Sequence, residues 1–365
     1  MSKLKSIFGA YADNLQLVID ARNDRFDPLW FPSYFPVATP QMSLTYTSVI
    51  GESRIEAAAS VVDRDAETPL RSRPDLRKLS GEIPAIKEMF SLKESDMRDF
   101  EVMKALPVPE ATRRNQILDL IWGDTRKAGN SVYKRIDMMC LEAVSKGKIS
   151  LNTTNNPDGL VSDDIDLLMP TDNRIQSATS WETSATATPI TDIETVVSAG
   201  RNKGVSFSKI LMSPTLFGKF KKAKEVIDTL TAYFYGPKPG SGFNPVAVST
   251  LDRINEFLSA NRMPVIEIVD KVFGVEKDGV INTLRPFSDE NASFIPGGPL
   301  GVIKNAIAME EVRKVENVTY AKFQDALISK WHQNEPLREW TKAEWNAFPS
   351  LDSVDLIHIL EAVHA

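Results

Sequence analysis

The stretch Glu67–Met97 reads ETPLRSRPDLRKLSGEIPAIKEMFSLKESDM. Its first half carries Arg71, Arg73, Arg77 and Lys78 with two prolines and almost nothing apolar, and the chain then returns through GEIPAI. Upstream, Leu44–Val49 alternates as a half-buried strand does, and Val61 and Val62 add β-branched residues. The pattern predicts a long two-stranded ribbon from about Tyr46 to Phe90 with a polar tip at Asp63–Lys78. Two strands alone are marginal in water, so such a ribbon must lie on another surface. The basic tip lacks the interleaved aromatics that stack on single-stranded nucleic acid. It reads either as a solvated tip or as a cluster that pairs with acids on another subunit, and the second suits a ribbon with no core of its own.

Before the ribbon, RFDPLWFPSYFPVATPQ mixes five aromatics with four prolines. The prolines keep this arm extended and the aromatics need a surface to cover. That surface is either its own domain or a neighbouring subunit, and Trp30 and Phe31 are candidate contacts in the second case. After the ribbon, Pro109 and Glu110 suit the first turn of a helix, and Gly147 suits its C-terminal cap. Ile117, Ile121, Ala128, Val132, Ile136, Met139 and Ala143 form one helical stripe between them. Unbroken, Pro109–Gly147 would extend about 58 Å and bury one side, with Gly123 and Gly129 as places where it could kink.

KISLNTTNNPDGLVSDDIDLLM then reads as a hairpin around Asn-Asn-Pro-Asp-Gly. From Thr191 the texture changes to alternating helices and strands, the mark of a compact α/β lobe over Thr191–Ala308. Thr191 and Glu194 read as a capping box. VSFSKILM reads as a strand, and Ser213-Pro214 opens a helix whose stripe is Leu216, Phe220, Ala223, Ile227 and Leu230. STLDRINEFLSANRM is a further helix, PVIEIVD a strand, and EKDG a hairpin turn; NVTYAKFQDALISKW returns to strand character.

Composition narrows the role. The hydrophobic share of 42% supports a sizeable core across roughly two domains. A net charge of −6 argues against a protein whose main work is gripping phosphate backbones. The single cysteine, Cys140, excludes an internal disulfide and reads as a buried inert thiol. No apolar run reaches the length of a membrane span, and the N-terminal residues do not read as a signal peptide.

No chemistry-bearing constellation emerges. The three histidines, His332, His358 and His364, all fall late, without metal-ligand spacing or a Gly-x-Ser-x-Gly elbow. FIPGGPLGVIKNAIAMEE lacks the Gly-Lys-Ser/Thr of a phosphate loop, and Pro299 removes an amide such a cradle would use. Asp163, Asp164 and Asp166 have no further ligand and read as solvated hairpin acids. Ser353, in PSLDSVDLIHILEAVHA, lies in a context like that of a phosphopantetheine serine, but the chain around it cannot supply a carrier bundle. The expectation is therefore no catalytic residue, no cofactor and no metal.

The order of parts resembles the major capsid proteins of tailed bacteriophages, in particular the lambda-like coat protein E family. The segments that carry the resemblance are the quoted stretch, SKILMSPTLFGKFKKAKEV, FIPGGPLG followed by AMEE, and the closing NEPLREWTKAEWNAFPSLDSVDLIHILEAV. The resemblance implies the α+β tailed-phage capsid fold: an N-terminal arm at 1–45, an extended ribbon or E-loop at 46–90, and a peripheral domain at 91–190 with the spine helix 109–147. An axial domain at 191–310 and peripheral return strands at 311–365 would follow. It implies a structural virion protein that forms hexamers and pentamers of an icosahedral head enclosing double-stranded DNA. Its partners would be itself, a separate scaffolding protein, a portal and a decoration protein where one exists. DNA would be near by enclosure alone, no membrane would be involved, and assembly would occur in the host cytoplasm. Two other classes stay open: an encapsulin-like compartment shell, and an α/β enzyme whose site is not identified.

Overall fold

The computed structural model describes residues 28–50, 77–105, 110–236 and 248–364. In chain order the strands and helices begin with β1 (Thr45–Ile50), β2 (Arg77–Glu82), β3 (Ala85–Lys93), α1 (Glu94–Ala105) and α2 (Glu110–Lys146). Then come β4 (Lys148–Leu151), β5 (Ser162–Asp166), β6 (Arg174–Gln176), α3 (Pro189–Asn202), β7 (Phe207–Met212), α4 (Pro214–Phe220), α5 (Lys224–Tyr235) and α6 (Leu251–Ala260). The remainder is β8 (Val265–Ile268), β9 (Phe273–Lys277), β10 (Val280–Leu284), β11 (Asn291–Pro296), β12 (Val302–Ala306), α7 (Met309–Val312), β13 (Thr319–Phe323), β14 (Ala326–Gln333), β15 (Arg338–Ser350) and β16 (His358–Glu361). The chain divides into two units. The first is Met1–Tyr46, Gly81–Asp137 and Ile303–Pro349, and the second is Thr47–Ser80, Met138–Val302 and Ser350–Ala365.

The first unit is organised by a sheet of order β12-β15-β14-β13, with β3 also pairing β15. The 13-residue β15 is its backbone, antiparallel to β14 and to β3. Pro349 falls one residue before the end of this strand. Trp345 and Tyr133 meet with ring centroids 4.6 Å apart, and the Trp345 indole N–H donates to Asn305 Oδ1 at 3.0 Å, so a large buried ring has its polar atom satisfied.

The second unit carries a mixed sheet of order β6-β16-β11-β7-β8, with β16 parallel to β6 and β7 parallel to β8. Its core gathers Trp181, Leu216, Phe220, Leu230 and Leu258 with Ile210, Phe294 and Leu360 from the strands. Two local readings are corrected here. The capping box at Thr191 and Glu194 does not form, because α3 begins two residues earlier at Pro189. Its free amides at Ile190 and Thr191 donate instead to the Glu225 carboxylate at 2.8 and 3.3 Å. That acid lies 34 residues beyond Thr191, where a sequence window cannot find it. The second correction concerns the helix opened by Ser213, whose hydroxyl accepts from the Leu216 amide as predicted. It stops at Phe220, and extended backbone at Ala223 starts α5 afresh. The break shifts the buried stripe by one residue, so Val226 is buried where Ile227 was expected.

The long helix α2 runs 37 residues from Glu110 to Lys146. Gly147 follows with φ +66, and its amide donates to the Ala143 carbonyl at 2.8 Å, as the cap reading requires. A Cβ at Gly147 would lie 2.9 Å from Met169 Sδ, which is a second reason for glycine there. Ala128, Val132, Ile136, Met139 and Ala143 are buried as the stripe predicts. The expectation of one buried side fails between Ile136 and Ser145, where every residue is buried. Polar residues at Asp137, Glu142 and Ser145 made the second side look solvent-facing, yet each has a partner: Asp137 takes backbone amides, Glu142 takes Lys146 and the Ser150 amide, and the Ser145 hydroxyl donates to the Glu142 carbonyl.

Candidate functional site

The first unit holds the roots of both segments expected to leave the core, the aromatic arm and the ribbon. Pro28–Gln41 is the described part of the arm. It makes a short 3-10 turn, Phe31–Ser33, and then runs beside β12. The Asp137 carboxylate caps the turn: it accepts from the Phe31 amide at 2.7 Å and from the Trp30 amide at 3.1 Å to each oxygen. Charge-assisted bonds of this kind are stronger than neutral ones, and the carboxylate satisfies amides that the turn leaves open. Beyond the turn the arm extends the sheet. The Ala38 amide donates to the Ile303 carbonyl at 2.9 Å, Ile303 returns the bond to Pro36, and the Gln41 and Ile307 amides repeat the exchange.

Trp30 is 8% and Phe31 2% exposed. Of the two surfaces the sequence left open for the arm, this part covers its own unit. Phe31 stacks on Tyr133 at 6.5 Å, and Trp30 tilts onto Tyr34 at 4.7 Å. The Tyr133 hydroxyl donates to the Phe323 carbonyl at 3.1 Å and accepts from the Asp325 amide at 3.0 Å. Burial, reinforced by the Asp325 charge and opposed by the Asp325 and Ala326 backbone, pushes its pKa well above the ordinary phenol value. Phe31, Phe35, Pro36, Tyr133 and Phe323 wall a cavity of about 310 Å³.

The ribbon root is tied down separately. The Ile83 amide donates to the Leu44 carbonyl at 2.7 Å, and β1 pairs with β2. Tyr46 stacks on Phe348 at 5.7 Å, and its ring lies so close to Gly81 that a Cβ there would come within 3.0 Å of it. Of the basic cluster, Lys78 is exposed on β2 and Arg77 belongs to the same strand, while Arg71, Arg73 and the tip Asp63–Leu76 lie outside the described residues.

Ion pairs organise the sheet beside these roots. Lys342 donates to Glu310 at 2.5 Å and to Glu344 at 3.1 Å, and Glu344 also meets Lys87 at 3.2 Å. Burial opposes the Lys342 charge, but those hydrogen bonds outweigh it and hold the ammonium above its usual range. Lys330 is the opposite case. It is buried, Glu339 and Asp124 act on it too weakly to compensate, and its pKa falls to about 8.

The residues weighed for chemistry do not converge. Cys140 is buried and forms no disulfide. His332 lies on β14, His358 is enclosed on β16, and the ring of His364 contacts Ser177. The Ser353 hydroxyl donates to the Pro299 carbonyl at 3.3 Å. Asp164 pairs with Lys148 and accepts from Ser150, while Asp166 accepts from the Leu168 amide. Among the described residues no group of three His, Cys, Asp or Glu side chains could hold a metal ion, and no helix is long and apolar enough to cross a membrane. What sequence reasoning missed is Asp137; its only signal was an acid beside Ile136 in a helix expected to bury that neighbourhood.

The arm segment thus runs beside β12, Tyr46 packs on Phe348 at the root of β1, and α2 extends over 37 residues. The family model for phage major capsid protein E matches residues 22–361. The chain belongs to that family. It is a structural protein of the phage capsid and so a component of the virion. Among solved structures, a prophage capsid protein of Escherichia coli CFT073 has the same fold, with 15% identity, 95% of this chain and 97% of that one covered, and a TM-score of 0.56. A phage-related protein from Bordetella bronchiseptica RB50 aligns with 12% identity, coverage of 95% and 96%, and a TM-score of 0.47. The cyanophage A-1(L) capsid aligns with 9% identity, coverage of 93% and 94%, and a TM-score of 0.48. No curated protein sequence matches the chain.

Proposed function

We propose that copies of this chain close into an icosahedral head built of hexamers and pentamers around double-stranded phage DNA, and that the chain works without catalysis. The family match over 22–361 carries this reading. Within that frame the arm at 1–45, the ribbon at 46–90, the peripheral domain and the axial domain take the roles the resemblance implied, with β6 and β16 going with β7, β8 and β11, whose sheet they share. A scaffolding protein, a portal and, where present, a decoration protein are the expected partners, with assembly in the host cytoplasm. The acidic balance fits a wall that encloses DNA without binding it tightly.

The ribbon tip is the proposed inter-subunit contact. Ordering each backbone residue costs about 1–2 kcal/mol, while burial returns only about 25 cal/mol per Å² of apolar area. Asp63–Lys78 has few apolar side chains to offset that cost, so a neighbouring copy would supply the surface and acids for Arg71, Arg73, Arg77 and Lys78. Trp30 and Phe31 would support contacts indirectly, by fixing where the arm leaves the core. Replacing Asp63–Lys78 by a short Gly-Ser turn is expected to leave a folded, unassembled subunit in sedimentation velocity. Shells of normal size from that variant would contradict the assignment.

A further inference from the structure

His358 is fully enclosed on β16 in the second unit, and neither ring nitrogen has a hydrogen-bond partner. Its ring meets the edge of Phe207 at 5.0 Å, and Phe294 lies opposite it on β11. In the neutral form the imidazole is simply an aromatic core residue. An added proton would place a charge where only the Leu356 backbone favours it, and that weakly.

The groups around it make that charge worse. From the end of α3, Lys203 acts on the ring, and its ammonium donates to Asn173 Oδ1 at 2.7 Å. The Asn173 amide in turn donates to the carbonyls of Asp355 and Ile357 at 2.9 and 3.0 Å, so Lys203 sits behind the clamp that holds the entry to β16. Arg174 on β6 is also cationic and is engaged with the Lys146 carbonyl. Asp355, the acid three residues away, has a partner of its own, and no carboxylate is among the groups that act on His358. The strands β7 and β11 contribute the two phenylalanine rings. Burial first, and the Lys203 charge second, depress the imidazole pKa to about 4, and the Leu356 backbone opposes them only weakly.

We propose that His358 is an acid trigger whose protonation loosens the Asn173 clamp and releases Val354–Glu361 from the sheet of the second unit. Of the elements around the ring, β16 is the one that carries it. Moving that strand outward lets water reach the imidazolium and separates it from Lys203. The inference concerns a single subunit and does not depend on the assembly reading.

Hydrogen exchange on the full chain at pH 7, 5 and 4, corrected for intrinsic rates, tests it. A pKa that falls from 6.5 to about 4 on folding shifts a linked opening equilibrium on the order of 100-fold by pH 4. Protection over residues 357–361 is expected to drop by that factor while residues 208–212 of β7 keep theirs. His358→Phe, which retains the ring and cannot be protonated, is expected to keep β16 protected at pH 4. Should that variant not fold, the wild-type imidazole proton resonance serves instead, and it is expected to titrate together with the loss of protection. Constant protection to pH 4, equal loss across the whole sheet, the same loss in His358→Phe, or a His358 that titrates near 6.5 with β16 still protected would each overturn the proposal.

Discussion

Asp137→Ala should free the arm from its root. The substitution leaves the Trp30 and Phe31 amides, now bonded at 3.1 and 2.7 Å, without an acceptor inside a buried turn. Each unsatisfied buried donor costs about 1–3 kcal/mol. Removal of a carboxylate that was itself desolvated offsets part of the sum, so a net loss of about 3 kcal/mol is expected. The loss falls on one turn, so a local observable suits it better than a global melting curve. Hydrogen exchange over residues 30–35 should accelerate roughly 100-fold, since about 1.4 kcal/mol corresponds to tenfold. Asp137→Asn keeps an oxygen for the shorter bond and should accelerate the same amides roughly tenfold. If Asp137→Ala leaves exchange in this turn within twofold of wild type, the carboxylate is not what holds the arm, and the aromatic contacts of Phe31 and Tyr34 must suffice alone.

Ile136→Asp places an unpaired charge at a fully buried position of α2 and should cost several kcal/mol, read as a lowered urea midpoint and loss of assembly; normal folding and assembly would mean the stripe is not a core face. Lys330 gives a pH signature of the opposite sense from a salt-bridged lysine. Its folded pKa of about 8 lies below the unfolded 10.5, so the unfolded chain binds the extra proton between those values and stability rises with pH there, by up to about 3 kcal/mol. Below pH 8 both states are charged and the burial cost is fully present. Thermal midpoints from pH 8 to 10 should climb relative to those of Lys330→Met, and parallel curves for the two proteins would refute the assignment.

Local signals in the sequence were read well where the residues that form an element also decide it. The long helix ends at a glycine that must be in the left-handed region, the Ser213-Pro214 start is capped by its own hydroxyl, and the EKDG turn joins β9 to β10. The failures share one cause, a distant partner. Glu225 caps α3 from another helix, so the Thr191–Glu194 pattern had no amides left to serve. Asp137 escaped notice because the amides it holds belong to residues more than 100 positions earlier. Ile227 was placed in the core because an extended Ala223 cannot be told from a helical one by spacing. The arm was recognised as needing a surface, but which surface depends on β12, which lies more than 250 residues downstream. Function was legible only through the whole order of parts, since a shell protein concentrates no chemistry at one place.

The central claim is that this chain closes on copies of itself. Cryo-electron microscopy of the purified full-length protein tests it most directly: closed shells whose capsomers have five and six copies, with the ribbon of each copy resting on its neighbour, are the expected result. A chain that stays monomeric at every concentration would contradict it.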